Sequence, residues 1–391
     1  MTPTVAFLAS GKLYLKQDGR ATEPIESAYG QELIEDAIRR REKNEWKTRS
    51  QTGQLMSGGA PWGDRNLVEA ETRRIHISAV TRGARPGELL YALDTDQVGG
   101  LFVYDVAQRH EQRLYHNHRF RARHLSRHPE LPLATFSLQQ EDGTAAIAVM
   151  NLENNDLQLV TEGDSLDESP SWAPGGGSRL VFQSAGLARN QQGMLAGIGA
   201  YAVQQLDLDR EDVVTLLEDE KRDYLLPRFA ADGSLYFLRR PYQGLARPSG
   251  WHILRDVIMF PIGLLWAVVG FLNFFSMMFS GKPLTTAGGV RREGPSPRHM
   301  MLWGKMIDAE RAERRAKKGE PVALVPDDWE LVRQRPEGGE EVISGGVVSY
   351  DLCADGSAVY TNGTAVFHRE TDGRKRQLCD GKLIEHVVVT G

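Results

Sequence analysis

Apolar residues in this chain come in short runs, most of them alternating with polar positions and bounded by Gly, Asp or Asn. A period of two with frequent turn residues predicts strands and tight connections. The runs group in fours. The clearest unit is ESPSWAP, SRLVFQSAG, AYAVQQLDLD and DVVTLLED over 168–219; the same order recurs over 122–163 and, upstream, over 76–117. Two further openings, DYLLPRFAADGSLYFLRR (223–240) and VVSYDLCADGSAVYTNG (347–363), join two apolar strands through Ala-Asp-Gly. Gly accepts the positive φ that so tight a connection requires.

Four strands in repeats of about 40 to 45 residues read as the blades of a propeller. The boxes DESPSWAPGGGSRLVFQS and DYLLPRFAADGSLYFLRR resemble the WD40-like (PD40) repeats of TolB-like six-bladed propellers. The matching positions are Asp167, Pro170, Trp172, Pro174 and Gly176 in one, and Asp223, Pro227, Phe229, Asp232 and Gly233 in the other. The resemblance implies a fold and, because TolB-like propellers bind protein segments at the mouth of the ring, a protein partner. It does not by itself imply an activity.

The two ends of the chain complete the count. Only three strands (VAFLAS, KLYLKQ, ATEPIES) precede residue 28, and one strand, LIEHVVVTG, is left over at 383–391. If that strand joins the first blade, an all-β, six-bladed propeller closes without a free edge. The propeller then comprises 1–27, 75–242 and 328–391, interrupted by two mainly helical insertions. The first, 28–74, lies between blades 1 and 2 and is too long for an ordinary connection. It opens on YGQELIEDAIRRREKNEWK, where Leu33, Ile34, Ala37 and Ile38 share a helical face and Glu32, Glu35 and Asp36 fall in the first turns. The polar, Gly-rich loop after it offers Met56, Pro61 and Trp62 as partner contacts.

The second insertion, 243–327, falls inside the fifth blade. Residues 257–279 carry no charge, and as a straight helix they would span about 34 Å. A single crossing would strand the last blade on the wrong side of a membrane, so the expected geometries are an interfacial helix, a re-entrant hairpin, or burial against protein. Ile258, Phe260, Leu264, Leu265, Trp266, Phe271, Phe274, Phe275 and Phe279 are the candidate membrane or partner contacts. Residues 282–320 hold ten Lys or Arg against five acids. Arg291, Arg292, Arg314, Arg315, Lys317 and Lys318 are therefore candidates for anionic lipid or an acidic partner.

Net charge is −5 over 391 residues, which argues against a nucleic-acid binder. Two cysteines cannot build a disulfide framework, and the opening MTPTVAFLASGKLY lacks the pattern of a signal peptide. Both point to the cytoplasmic side of a bacterial-type membrane.

Catalytic motifs are scarce. GDSL at 163–166 resembles the nucleophile block of GDSL esterases, but no histidine follows an Asp at the spacing that family needs. Neither a G-x-S-x-G elbow nor a phosphate-binding G-x-x-x-x-G-K-[ST] occurs. His116, His118, His124 and His128, with Arg113, Arg119, Arg121, Arg123 and Arg127 around them, could serve a transition metal, an acidic partner or a solvated edge. Cys353 and Cys379 are expected as small buried residues in the first and fourth strands of the last blade. No cofactor is expected. The sequence therefore predicts a non-enzymatic scaffold for protein partners at a membrane, or alternatively a propeller subunit of a membrane enzyme or transport complex, whose apolar insertion packs on a neighbouring subunit.

Overall fold

A computed structural model describes residues 2–49, 76–95, 98–118, 120–242, 244, 299–302, 305–308 and 323–390. The first sheet combines β1 (Val5–Ala9), β2 (Lys12–Lys16) and β3 (Glu23–Ile25) with the final strand β27 (Ile384–Val389), in the order β27-β1-β2-β3. Val5 pairs with Val389 and Phe7 with Val387. After helix α1 (Ala28–Arg49), a second sheet runs in chain order through β4 (His76–Arg82), β5 (Glu88–Asp94), β6 (Val98–Asp105) and β7 (His110–His118).

Two antiparallel groups follow. One is β8 (Ala122–Arg127), β9 (Leu133–Gln139), β10 (Ala145–Asn151) and β11 (Leu157–Leu159). The other is β12 (Ser165–Trp172), β13 (Arg179–Arg189), β15 (Ala202–Asp207) and β16 (Asp212–Leu217), with β14 (Leu195–Ile198) pairing to the far end of β13. A parallel pairing of Ala145 with Leu166 joins the groups into a nine-stranded sheet.

The next sheet begins with β17 (Arg222–Phe229) and β18 (Leu235–Pro241). The two-stranded hairpin β19 (His299–Leu302) and β20 (Lys305–Asp308) comes next in the chain, before the sheet is completed by β21 (Glu330–Gln334) and β22 (Glu340–Ser344). The last sheet is β23 (Ser349–Leu352), β24 (Ala358–Thr361), β25 (Ala365–Arg369) and β26 (Lys375–Asp380).

Each four-stranded group is packed between its neighbours in the ring, which explains its burial gradient. Inner and second strands are apolar on both faces: all five residues of β1 are buried, and six of the seven in β5. Outer strands are solvated, as in β26 and β16. The core is accordingly divided into layers between consecutive sheets. Leu13, Leu15 and Val388 meet Val80, Leu89 and Phe102 between the first two; Ile147 meets Trp172, Leu180 and Phe182 between the two groups of the nine-stranded sheet. Val5 and Phe7 meet Val359 and Val366 where the last sheet returns to the first.

The innermost strands pack in a cycle. β4 lies between β27 and β8, β12 lies between β8 and β17, and β23 packs on β27. The Tyr350 hydroxyl of β23 donates to the Leu226 carbonyl of β17 at 2.6 Å. This is an all-β propeller.

The leading acids of the two boxes act between sheets. Asp223, 3% exposed, accepts the backbone N–H of Tyr201 at 3.0 Å and the Arg240 Nε–H at 2.8 Å. The Arg240 guanidinium also lies over the Trp329 ring, 4.6 Å from its centroid. Asp167 accepts the Ser184 hydroxyl at 2.6 Å, while its carbonyl accepts Ser137 from the preceding group at 2.9 Å.

α1 is the one helix among the described residues, and it differs from expectation at its start. Its first turn contains no acid, because the helix begins at Ala28 and places Glu32, Glu35 and Asp36 further along. The N-terminal N–H groups are satisfied by tertiary contacts instead. Glu111 of β7 accepts the Ala28 and Tyr29 N–H groups, each at 3.1 Å, and Ser27 Oγ accepts that of Gly30 at 3.1 Å. The buried Tyr91 hydroxyl donates to the same Glu111 carboxylate. A carboxylate at a helix N-terminus also opposes the helix dipole favourably. Leu33, Ile34 and Ile38 are half-buried.

The second insertion was expected to be mainly helical; of its residues the structure describes 244, the hairpin of β19 and β20, and 323–327. The apolar set from Ile258 to Phe279, the basic set from Arg291 to Lys318, and Met56, Pro61 and Trp62 lie outside the described residues. Among the described residues no helix is long and apolar enough to cross a membrane.

Phe7 sits at the meeting of first and last strands, 2% exposed and stacked on Tyr14 at 5.3 Å. Phe7→Ala is expected to cost about 3–5 kcal/mol, read as a lower urea midpoint, with loss of the β1–β27 amide protection in hydrogen exchange.

Candidate functional site

The C-terminal ends of five inner strands, β4, β8, β12, β17 and β23, converge on a cavity of about 330 Å³. Thr81 and Arg82 line it from β4, Ser126 and Arg127 from β8, Ser171 and Trp172 from β12, Arg228 and Phe229 from β17, and Asp351 and Leu352 from β23. This is one mouth of the ring, and the turns after the inner strands form its rim.

Local chemistry sets these turns. In both Ala-Asp-Gly turns the aspartate accepts an N–H two residues on, Asp232 from Ser234 and Asp355 from Ser357, each at 2.9 Å. Gly233 and Gly356 take φ of 81° and 83°, as the motif requires. These hydrogen bonds hold both carboxyls below the usual aspartate range, led by the Ser234 N–H for Asp232 and the Ser357 hydroxyl for Asp355.

The turn after β8 is organised by His128, which is fully buried. Its Nδ1 accepts the N–H groups of Glu130 at 3.1 Å and Leu131 at 2.8 Å. That assigns the ring proton to Nε2, which faces the Gly177 carbonyl at 3.4 Å. The ring meets Trp172 edge-on at 4.7 Å. At Gly176, φ is 71° and a Cβ would lie 2.5 Å from Glu130 Oε2. The turns after β8 and β12 are thereby interlocked.

Charge at the mouth is mixed. Arg228 pairs with Asp351 at 3.1 Å, with side chains 21% and 13% exposed. Asp351 also accepts the Val389 N–H at 2.8 Å, so three inner strands meet at one carboxylate. Arg127 donates to the His128 carbonyl at 2.8 Å, and burial lowers the affinity of its guanidinium for a proton. Arg82 is exposed at the rim. With Trp172 and Phe229, the lining joins apolar faces to arginine donors and two carboxylates, a surface suited to a short polypeptide segment.

Deeper in the ring lie His124, His386, Glu168 and Glu385. Burial, then the charge of Arg123, pushes the His124 pKa down to about 3; burial, then Arg228, pushes that of His386 to about 4. Burial raises Glu168 and Glu385, with Arg123 opposing the shift in both. Glu168 accepts the Tyr201 hydroxyl at 3.1 Å and Gln183 Nε2–H at 3.2 Å. β8, β12 and β17 share a backbone device here. Each has a register shift against its partner strand, and His124, Ser169 and Leu226 take φ of 53°, 54° and 52°. Such bulges re-aim side chains.

The four histidines considered together in the sequence are dispersed. His116 and His118 are exposed on the outer strand β7, His124 is on the inner strand β8, and His128 is in a turn. Their arginines separate likewise: Arg113 lies over the Tyr29 ring, Arg123 is in the ring and Arg127 at the mouth. Among the described residues no group of three or more His, Cys, Asp or Glu is placed to hold a metal ion. Ser165 opens β12. Cys353 follows β23 and lines the mouth, one residue past the strand expected to contain it, and burial pushes its thiol to about 11. Cys379 lies in β26, and both cysteines are half-buried against the layer between last and first sheets.

Arg228 and Asp351 were not singled out from sequence, although a signal existed. Each stands three places before the alanine of an Ala-Asp-Gly turn. Opposite charges at equivalent positions of neighbouring repeats are what a pair across two inner strands looks like in sequence.

This constellation defines the chain as a β-propeller with an amphipathic mouth. Its fold is TolB-like. The crystal structure of TolB from Acinetobacter baumannii superposes with a TM-score of 0.51 at 10% identity, covering 99% of this chain and 66% of that one. This chain thus spans about two thirds of the TolB chain. The nidogen/laminin complex structure gives 0.50 at 6% identity, covering 99% and 98%, and tricorn protease 0.48 at 9%, covering 96% and 33%. No protein-family model matches the sequence, and no curated protein does.

Lowered histidines give the molecule a pH dependence. The unfolded chain takes up protons near pH 6.5, whereas folded His124 and His386 resist until about 3 and 4. The contribution of these two histidines is therefore full above about pH 6.5 and falls as pH drops toward 4, by on the order of a few kcal/mol, opposed in part by the raised Glu168 and Glu385. Urea midpoints measured from pH 7 to 4 should decline, and His386→Asn should remove about one proton's worth of the slope.

Proposed function

We propose that this chain is a non-enzymatic, six-bladed propeller scaffold that binds a protein segment at the mouth lined by Arg82, Trp172, Arg228 and Asp351. The observation that carries the reading is the cavity of about 330 Å³ at the converging strand ends, with aromatic and paired charged groups on its walls. Its size suits a few residues of an extended chain. Counting the two groups of the nine-stranded sheet as separate blades gives six, supported by the distinct core layer between them. Protein binding is in keeping with the structural relative solved as a nidogen/laminin complex.

The proposed domain division follows: 1–27, 75–242 and 328–391 form the propeller, and 28–74 and 243–327 are insertions. The scaffold is proposed to be held at the cytoplasmic face of a membrane by the second insertion. Support comes from the sequence, in the uncharged stretch 257–279 and the basic excess that follows it.

A photo-crosslinking residue at Leu352 should capture a protein segment in cells, and one at Lys375 on an outer strand should not; equal yields would refute the mouth as the binding face. Separately, the intact protein should sediment with anionic vesicles more than with neutral ones, and a folded version with 243–322 replaced by a short Gly-Ser turn should not. Equal sedimentation of the two proteins would remove the anchoring role. Lipid-independent self-association lost with the insertion would favour a subunit of a larger membrane complex.

A further inference from the structure

The outer strands of the propeller are guarded against pairing with other chains, with one exception. β3 contains Pro24, β11 is three residues long, and β7, β22 and β26 carry charged side chains. These are the usual means of blunting a sheet edge. β16 lacks them. From Val213 to Leu217 it has no charge, proline or glycine, and it pairs with β15 along one edge. Both its faces are solvated: Val213 is 47% exposed, Val214 48% and Leu216 36%.

The residues directly flanking the strand are mainly acidic, with Lys221 and Arg222 following Glu220. Exposed Asp209, Glu211 and Asp212 precede Val213, exposed Glu218 and Glu220 follow Leu217, and Arg210 is the one base between 207 and 220. A second copy pairing here would set acid against acid at both ends of the added strand, in either orientation, and like charges facing one another are destabilising. A partner with basic ends would meet complementary charge at both.

We propose that β16 is a docking edge for an extended segment of a partner protein, whose alternating apolar residues are flanked by Lys or Arg. The partner adds a strand to the sheet, its backbone hydrogen-bonding to the edge of β16 that no described strand occupies and its flanks meeting the acids. This surface is separate from the mouth of the ring, and neither site requires the other.

The probe is a fluorescent peptide, Lys-Arg-Val-Thr-Val-Thr-Val-Lys-Arg, titrated into the full chain and followed by anisotropy. Saturable binding is expected that weakens as salt rises. A peptide with Glu in place of every Lys and Arg, and a basic peptide with alternate backbone nitrogens methylated, should each bind at least about tenfold more weakly, reflecting lost charge pairing and lost strand pairing. Val214→Lys should lose about tenfold or more at unchanged Tm. If that variant does not fold, Glu218→Gln with Glu220→Gln, at exposed positions, should reduce affinity and flatten the salt dependence. The proposal is overturned if the basic peptide does not bind, if the acidic or methylated peptide binds equally, or if a folded variant binds as the native chain does. Self-association in sedimentation that Val214→Lys abolishes would assign the edge to a second copy and also overturn it.

Discussion

Backbone pairing between β1 and β27 is the constraint on which the rest of the structure depends. The partners stand at opposite ends of the sequence, so nothing local brings them together, and the loop they close is nearly the whole chain. Once formed, the pairing places β27 on the inner circle, between β4 and β23, where Val387 and Val388 contribute to the layers on either side of the first sheet. Without it two adjoining sheets would each expose a face rich in Val, Leu and Phe. The many buried residues of β1, β5 and β23 owe their burial to a closed ring rather than to contacts within their own sheet.

The same repetition that builds the ring builds its mouth. Turns after successive inner strands open at the same level, and a residue near the end of one strand therefore faces its counterpart on the next. Arg228 and Asp351 use this directly, and Val389 adds the third strand through its N–H. Trp172 and Phe229, the aromatic positions of the two boxes, are both structural and exposed to the cavity's wall. Residues conserving the turn geometry thus also determine what the cavity offers a partner.

How much of this was legible in the sequence depended on whether the cause was local. Ala-Asp-Gly at 231–233 and 354–356 announces a turn because its hydrogen bonds lie within the motif, and the runs around it announce strands. The helix beginning near residue 28 was also readable from its apolar spacing. Its N-terminal stabilisation was not, since the carboxylate that satisfies Ala28 and Tyr29 belongs to Glu111, in a strand beyond the insertion. The bulges at His124, Ser169 and Leu226 escaped notice because they follow from packing around the ring. The four histidines looked like a cluster only because they are near in sequence; a turn and two different strands part them. Conversely Arg228 and Asp351 look remote, and the ring makes them a pair.

Closure by the final strand also orders events in time. During synthesis β1, β2 and β3 leave the ribosome long before β27, and their sheet cannot be completed until β27 has been made. Sheets in the middle of the chain hold their own four strands as neighbours and can assemble as they emerge. The sheet of β17 and β18 is an intermediate case, waiting for β21 across the second insertion. A nascent chain therefore carries an unsealed first sheet until β27 emerges, with the edge of β1 open to wrong partners. Closure of the ring waits on β27, and it depends on contacts between strands about 380 positions apart, Val5 with Val389 among them.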